Sequence, residues 1–117
     1  MIFLEGFSIS DQLPFEDFAK IDLKIGIIVD ASRLSGTKKL MKLTIDIGGE
    51  TRQSVAGLGD QYNPEDLKSK LVVVVTNLKP RKIFGLESQL MLLAAVDGSQ
   101  VSLVQPDRPV SLGCKVT

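Results

Sequence analysis

Residues 22–34 read DLKIGIIVDASRL, and apolar side chains fall at every second position of this segment. They are Leu23, Ile25, Ile27 and Val29. This alternation is typical of a β-strand that buries one of its faces. Gly26 lies inside the segment, and a glycine within a strand indicates a bulge or a sharp coil. The segment therefore predicts a long first strand with an irregularity in it.

Further strands are predicted on the C-terminal side of this segment. LMKLTIDIGG at 40–49 and TRQSVAGL at 51–58 meet at a Gly-Gly turn, which predicts a hairpin. LVVVVTNL at 71–78 is a continuous β-branched run, typical of a strand that is buried on both faces. LMLLAAVDGSQVSLVQP at 90–106 predicts a second hairpin with its turn at Asp97-Gly98. The tail that follows is loop-like and can supply one more strand.

Two segments predict short helices. PFEDFAK at 14–20 begins with proline and continues with two acids, and both features favour a helix N-terminus. YNPEDLKSK at 62–70 has Asn63 in the cap position and Pro64 as the first helical residue. The second helix falls between the third and the fourth predicted strand.

The predicted order is three strands, a short helix and two strands, which is typical of the OB-fold. We therefore predict an all-β protein: an OB-fold, a five-stranded Greek-key barrel with a short helix between strands 3 and 4 and with N- and C-terminal extensions. Residues 1–21 would form an apolar arm and a short helix that dock on the barrel or on a second chain. Residues 22–117 would form the barrel and its C-terminal extension.

The composition argues against several classes of chemistry. The chain has no His and a single Cys, Cys114, which removes the commonest general base, the commonest metal ligand and every Ser–His or Cys–His pair. It contains no P-loop, dinucleotide fingerprint or Gly-x-Ser-x-Gly motif. We therefore expect no enzymatic activity, no catalytic residue, no metal and no cofactor.

The chain is also expected to be cytoplasmic. No segment reaches the roughly 20 apolar residues that span a bilayer, and MIFLEGFSIS at 1–10 lacks the basic residues of a signal peptide. A chain with one thiol fits a reducing compartment. We expect no membrane partner.

Positive charge is concentrated in the middle of a neutral chain. Residues 33–82 carry ten basic and five acidic side chains, although the net charge of the whole chain is zero. The cations fall in two predicted loops, after the first strand and after the fourth, which flank the ligand face of an OB-fold. The first cation group is Arg33, Lys38, Lys39 and Lys42, and the second is Lys79, Arg81 and Lys82. Arg52, at the start of the third strand, can lie on the same face. Such a face can bind a polyanion; the alternative is that the loops are basic for solubility alone.

The low aromatic content indicates which kind of polyanion fits. Aromatic residues make up 5% of the chain, and the barrel region offers Tyr62 and Phe84. Proteins that coat single strands stack bases on aromatic rings, which contributes about 1–3 kcal/mol per base. Phe84 lies in the second cation group, where it could stack on a base or cap the core. The composition favours contacts to the backbone and shape of a structured RNA.

Four segments, in this order, resemble the tRNA-binding domain family. They are DLKIGIIVDAS at 22–32, TKKLMKLTIDIGG at 37–49, SVAGLGDQYNPEDLKSKLVVVV at 54–75 and NLKPRKIFGLESQLMLLAA at 77–95. The family includes the C-terminal domain of methionyl-tRNA synthetases, its free-standing homologues and small export-related chaperones. The resemblance covers about residues 15–117 and implies an OB-fold that forms a homodimer through its extensions and binds tRNA by shape.

The resemblance also implies roles for individual residues. Lys79, Arg81 and Lys82 would face tRNA phosphates, while Asn77 and Ser88 would shape the loop or form hydrogen bonds with the RNA. The family implies a dimerisation role for the arm and helix at 1–21 as well.

Two positions depart from the pattern of the family. Leu90 stands where the family usually has glycine, and a leucine there keeps backbone or RNA farther away. Phe84 stands where the family often has a cation, so one phosphate contact is lost or replaced by stacking.

The main hypothesis is a structure-specific tRNA-binding homodimer. It would act alone or with a methionyl-tRNA synthetase, as a beta subunit or a cofactor in trans, because the chain lacks synthetase signatures and is too short to aminoacylate. The predicted RNA-binding residues are Lys38, Lys39, Lys42, Arg52, Asn77, Lys79, Arg81, Lys82 and Ser88. One alternative is a dimeric polypeptide-binding chaperone of the export-related type, which would use apolar grooves. Another is an inert subunit that dimerises a larger complex.

Overall fold

The computed structural model describes residues 11–117, so the predicted apolar arm at 1–10 lies outside the described residues. Ten strands and two one-turn helices are the regular elements of residues 11–117. In chain order they are α1 (Phe15–Phe18), β1 (Leu23–Arg33), β2 (Met41–Asp46), β3 (Thr51–Ala56), α2 (Pro64–Leu67), β4 (Leu71–Val75), β5 (Arg81–Ile83), β6 (Leu86–Ser88), β7 (Met91–Leu92), β8 (Ala94–Asp97), β9 (Gln100–Leu103) and β10 (Lys115–Val116).

The main sheet is antiparallel and has the strand order β3-β2-β1-β4-β7, with β10 added beside the start of β1. It curls into a nearly closed barrel of five strands, and α2 lies between β3 and β4. The prediction of an all-β OB-fold with a short helix between strands 3 and 4 is therefore confirmed. The second predicted hairpin is present as β8–β9, in which Asp97 pairs with Gln100.

The long strand β1 serves both halves of the barrel. Its first half pairs with β4, from Leu23 opposite Val75 to Ile27 opposite Leu71, and its second half pairs with β2. The register to β2 shifts between Ile28 and Asp30, so a bulge lies there. A bulge bends a strand and changes which side chains face inward. After the bulge, Ala31 rather than Asp30 faces inward, opposite the buried Leu43. Before it, Ile28 already faces the core opposite Ile45, so Val29, which the alternating pattern placed in the core, is 46% exposed on the outer face.

Gly26 is not part of the bulge, which lies between Ile28 and Asp30; it is required for close packing. A β-carbon at Gly26 would lie 2.7 Å from Cγ2 of Ile45 and 3.1 Å from the carbonyl oxygen of Asp46. Glycine is therefore needed because the end of β2 packs closely against β1 at this point.

Aliphatic side chains fill the barrel, as the scarcity of aromatic residues requires. Alternate residues of β2 point inward and are completely buried, and they meet the inward residues of β1, β4 and α2. The fully buried side chains include Ile28, Met41, Leu43, Ile45, Leu67, Val72 and Val74. α1, in contrast, buries none of its residues in this chain.

Side chains complete the barrel along the free edge of β3. The backbone of Gln53 exchanges hydrogen bonds with residue 89: its N–H donates to Oε1 of Gln89 at 2.9 Å, and its carbonyl oxygen accepts from the N–H of Gln89 at 2.8 Å. The N–H of Val55 donates to Oγ of Ser88 at 3.0 Å. Ser54 is buried and donates to the carbonyl oxygen of Leu90 at 3.0 Å. These bonds hold the β6–β7 connection against β3.

Across residues 11–117, neither helix has the length and apolar character needed to cross a bilayer.

Candidate nucleic-acid interface

The two basic loops predicted from the sequence lie next to each other in the fold. The β1–β2 loop contains Gly36, and the tight turn between β5 and β6 contains Phe84, which adopts a positive φ of 54°. A β-carbon at Gly36 would lie 3.4 Å from Cζ of Phe84, so the ring rests on the backbone of the other loop. Phe84 is 56% exposed and therefore does not cap the core. It joins the two loops while more than half of its surface stays exposed.

An apolar groove of about 570 Å³ opens between β3 and the β4–β7 region. Its floor is formed by aliphatic side chains from five segments of the barrel. They include Val55, Leu78, Ile83, Leu90, Met91 and Leu103. Lys79 and Arg81 also line it, and so do residues 54–58. We call this feature the barrel groove.

The β5–β6 ribbon divides the second cation group between two faces. Arg81 pairs with Ser88, and Lys82 pairs with Glu87. Because neighbouring residues of a strand point to opposite faces, Arg81 and Lys82 cannot face the same surface. Arg81 lines the barrel groove together with Ser88. Lys82 points to the other face, where it has a carboxylate as its cross-strand neighbour.

The first basic loop brings Lys39 close to the barrel groove, next to Gly57, although Lys39 does not itself line it. A β-carbon at Gly57 would lie 3.6 Å from Cε of Lys39, so this side chain extends over the backbone of Gly57, a groove residue. The backbone of the loop is held by Gly59, whose N–H donates to the carbonyl oxygen of Lys39 at 2.7 Å. Lys38 lines a separate shallow depression with Arg33 and Asp60.

The strand register places Lys42 and Arg52 on opposite faces of the β2–β3 hairpin. Lys42 pairs with Val55, which lines the barrel groove, and residues paired across two strands lie on the same face. Arg52 pairs with the fully buried Ile45 and therefore points to the inner side of the hairpin.

Arg52 is engaged by protein groups at the rim of the barrel. Its Nη1 donates to the carbonyl oxygen of Thr76 at 2.7 Å, and its Nε and Nη2 donate to the two carboxylate oxygens of Glu50 at 3.2 and 3.3 Å. The hydrogen bond from Arg52 is the main cause that lowers the pKa of Glu50 below its usual value. This geometry favours a structural role for Arg52, and its RNA contact stays a prediction.

Asn77 and Ser88 shape the site through hydrogen bonds within the protein. Oδ1 of Asn77 accepts from the N–H of Asp22 at 2.9 Å, and its Nδ2 donates to the carbonyl oxygen of Lys20 at 2.6 Å. Oγ of Ser88 accepts from Val55 and lies 3.4 Å from the carbonyl oxygen of Leu90. Of the two roles that the resemblance implied, these contacts favour the shaping of the loop.

Leu90, which replaces the glycine usual in the family, points into the barrel. It is 4% exposed and belongs to the core cluster that also lines the floor of the barrel groove. Its side chain therefore makes the groove more apolar.

Sequence reasoning missed residues whose function depends on contacts between distant segments. Asn63 occupies the cap position of α2, yet its side chain does not cap the helix; its Oδ1 accepts from Nη2 of Arg33 at 3.4 Å. The hydroxyl of Thr76 donates to the carboxylate of Asp22, and this bond is the main cause that lowers the pKa of Asp22. The sequence signal that could have indicated these contacts is the pair of polar residues at 76 and 77, directly after an apolar strand.

Comparisons with known proteins identify the fold more closely. A family model described as a putative tRNA binding domain matches residues 23–115. The methionine–tRNA ligase of Pyrococcus furiosus is 52% identical over 104 residues, which are 89% of this chain and 14% of the ligase. The chain thus spans about one-seventh of the length of that curated relative.

Two solved structures are similar over nearly their full length. A MetRS related protein from Pyrococcus horikoshii has a TM-score of 0.86 and 38% sequence identity, covering 92% of this chain and 99% of its own. The chaperone CsaA from Bacillus anthracis has a TM-score of 0.83 and 33% identity, covering 91% of this chain and 99% of its own. Because the family model matches most of the chain, from the start of β1 into β10, the chain belongs to the tRNA-binding domain family.

Proposed function

We propose that this protein binds tRNA by shape, with the barrel groove and its cations as the contact surface. One observation carries the proposal: Lys79 and Arg81 line the groove, and Lys39 of the other basic loop packs beside Gly57, a residue of the same groove, in a member of the tRNA-binding domain family. Backbone phosphates on either side of the groove would meet these cations. The apolar floor offers few hydrogen-bonding groups to read base edges, which fits recognition by shape.

The phosphate contacts are assigned to Lys39, Lys42, Lys79 and Arg81. Each neutralised phosphate adds about −0.9 to the slope of log affinity against log salt on a duplex. Four contacts give a slope between about −3 and −4 by the same rule. Lys38 and Lys82 lie outside the groove and would add weaker, longer-range attraction.

The protein is further proposed to act as a cytoplasmic homodimer in protein biosynthesis. α1 buries no residue in its own chain, and Phe15 and Phe18 are 76% and 38% exposed, so an apolar surface is available for a second copy. In this proposal residues 1–21 mediate dimerisation and residues 22–117 form the tRNA-binding barrel. The chain has no catalytic function of its own and supplies tRNA to a methionyl-tRNA synthetase, as a beta subunit or in trans.

A binding experiment tests the proposal. The affinity for unfractionated tRNA is measured by gel shift at two salt concentrations for the wild type and for Lys79→Ala/Arg81→Ala. A matched control, Lys68→Ala/Arg108→Ala, removes the same charges from residues that do not line the groove. We expect micromolar or tighter binding that the groove variant loses and the control retains. Equal losses in both variants would show that only net charge matters, and no binding by the wild type at low salt would refute the proposal.

The second candidate is a polypeptide-binding chaperone, and the apolar floor of the barrel groove is the observation that favours it. An aliphatic floor of this volume suits extended peptide side chains as well as RNA. Suppression of light scattering from an aggregating client at stoichiometric amounts would support this function. Absence of suppression, with tRNA binding intact, would exclude it.

A further inference from the structure

The start of the second basic loop is fastened to the segment that precedes β1. The N–H of Thr76 donates to the carbonyl oxygen of Asp22 at 2.9 Å, and the hydroxyl of Thr76 donates to the carboxylate of Asp22. The side chain of Asn77 spans the same segment, with Oδ1 on the N–H of Asp22 and Nδ2 on the carbonyl oxygen of Lys20. These bonds continue the β1–β4 pairing beyond its last ladder pair, Leu23 with Val75.

Thr76 is also held from the opposite side of the barrel. It is 7% exposed, and its carbonyl oxygen accepts from Arg52 at 2.7 Å. Both polar ends of the Asn77 amide have protein partners, so its side chain is already committed before any ligand arrives. Lys79 follows only two positions after Asn77 and lies at the edge of the barrel groove. The position of this lysine therefore depends on how firmly residues 76 and 77 are held.

We propose that Asp22, Thr76 and Asn77 form a positioning clamp for RNA binding, which rests on the function proposed above. The clamp fixes the point where the second basic loop leaves β4, so that Lys79 and Arg81 border the groove before RNA binds. None of the three residues needs to touch the RNA. Preorganisation of this kind increases affinity because the loop is ordered before binding.

The charge of Asp22 makes the positioning role and simple electrostatics predict changes of opposite sign in RNA affinity. A carboxylate close to a phosphate-binding loop repels RNA, so removal of its charge should tighten binding if electrostatics alone decided. A positioning role predicts the opposite sign. Lys24, 3.7 Å from Asp22, and Lys115 are the other charges that act on this carboxylate, and both attract it.

The test uses the full chain and three clamp variants, Asp22→Ala, Thr76→Val and Asn77→Ala. Thr76→Val keeps the shape of the buried side chain and replaces its hydroxyl with a methyl group that cannot donate to Asp22. Asp22→Asn retains an oxygen that can accept from Thr76, and it serves as the rescue. Glu65→Gln, on α2, removes an acid outside the clamp and controls for charge. The measurements are tRNA affinity at several salt concentrations and amide hydrogen exchange of Leu78, Lys79, Arg81 and Lys82.

We expect each clamp variant to bind tRNA about five- to tenfold more weakly, the effect of a loop that must be ordered on binding. The slope against salt should stay unchanged because the number of phosphate contacts is the same. The loop amides should exchange faster in the three variants and at wild-type rates in Asp22→Asn and Glu65→Gln.

Tighter binding by Asp22→Ala, or loop exchange that no clamp variant alters, would overturn the inference while the proposed function stands. If the wild type does not bind tRNA, the proposed function falls and the RNA role of the clamp falls with it. The exchange rates would even then decide whether the clamp orders the loop. Because Thr76→Val and Asn77→Ala change different atoms, loss of folding in one variant leaves the other to decide.

Discussion

The guanidinium of Arg33 donates to the carbonyl oxygen of Gly59 at 2.9 Å and thereby joins the end of β1 to the turn that precedes α2. The same group reaches the carbonyl oxygens of Lys38 at 3.3 Å and Tyr62 at 3.4 Å. A residue that the sequence grouped with the polyanion-binding cations therefore holds together the frame on which Lys38 and Lys39 are carried. Its donors face protein carbonyls.

Replacement of Arg33 by alanine should lower the free energy of unfolding. It should have only a small effect on the slope of RNA affinity against salt. The hydrogen bonds are charge-assisted but lie at an exposed position, so we expect a loss of about 1–2 kcal/mol in the free energy of unfolding. Urea denaturation measures this loss. Lys38→Ala is the control on the same loop and should leave the unfolding midpoint nearly unchanged. Equal midpoints for both variants would contradict the structural role.

Gly59 should tolerate no side chain. A β-carbon there would lie 2.1 Å from the carbonyl oxygen of Lys38 and 2.8 Å from that of Lys39, and both are backbone atoms. We expect Gly59→Ala to destabilise the protein by roughly 2–4 kcal/mol, within the range known for strain in a packed structure. Gly57→Ala is the matched control, because its β-carbon would make only an ordinary contact at 3.6 Å with Cε of the Lys39 side chain. Thermal unfolding of both variants decides the matter; similar melting temperatures would contradict this prediction.

Arg81 and Lys82 should contribute unequally to RNA affinity although they are adjacent. Arg81 lines the barrel groove, whereas Lys82 lies on the opposite face of the ribbon beside Glu87. We expect Arg81→Ala to remove about one phosphate contact, seen as a decrease of about 0.9 in the salt slope. Lys82→Ala should change the slope by less than half of that amount. The reverse order would place the RNA on the other face of the ribbon.

Gln89 should stabilise the barrel through its side-chain amide. Its Oε1 accepts the N–H of Gln53, which belongs to the open edge of β3. Gln89→Ala leaves this donor without its partner, and we expect a loss of about 1–2 kcal/mol in stability. Gln89→Met keeps the length of the side chain but lacks the amide, so it should be about as unstable as Gln89→Ala. If Gln89→Met keeps the stability of the wild type, the hydrogen bond is not the cause.

Stability should fall in acid through Asp22. Its pKa is lowered in the folded protein, mainly by the hydrogen bond from Thr76, so the folded state binds this proton less readily than the unfolded chain does. The stabilising contribution is then complete above the unfolded pKa of about 3.9 and is lost as the pH falls through the lower folded value. We expect the difference in unfolding free energy between the wild type and Asp22→Asn to shrink below about pH 4. A difference that stays constant with pH would contradict the assignment.

The strands and turns were largely predictable because they depend on local pattern. The alternation in β2, the Gly48-Gly49 turn and the Asp97-Gly98 turn each reflect neighbours in sequence, and the structure has all three. Val29 was misplaced because it lies on the same face of β1 as Ile27, which pairs with Asp46, whereas Ile28 pairs with the buried Ile45 and faces the core. Both faces of β1 carry apolar residues here, so the period of the strand could not show which face points into the barrel.

The neighbourhood of the two basic loops was predictable, but the direction in which each cation points was not. The first loop contacts the β5–β6 turn through Gly36 and Phe84, and Lys79 and Arg81 line the barrel groove, while the RNA contacts stay a prediction. Whether a cation faces solvent, groove or protein depends on register, and the sequence does not show that Arg52 lies opposite Ile45. The carbonyl partners of Arg33 belong to segments more than twenty positions away, apart from its neighbour Lys38. Long-range backbone partners of this kind leave no trace in local composition.

The pairing of β1 with β10 has a consequence for the order of folding. Leu23 pairs with Val116, and the backbone of Ile25 exchanges hydrogen bonds with Gly113 and Cys114, so the start of the first strand is completed by residues made much later. The β1–β2–β3 meander can form from nearby residues, whereas this edge requires closure of a loop almost as long as the barrel sequence. Such non-local contacts slow folding because the chain loses entropy before they form. During synthesis the start of β1 would thus remain without this neighbour on one edge until the segment around Val116 has emerged.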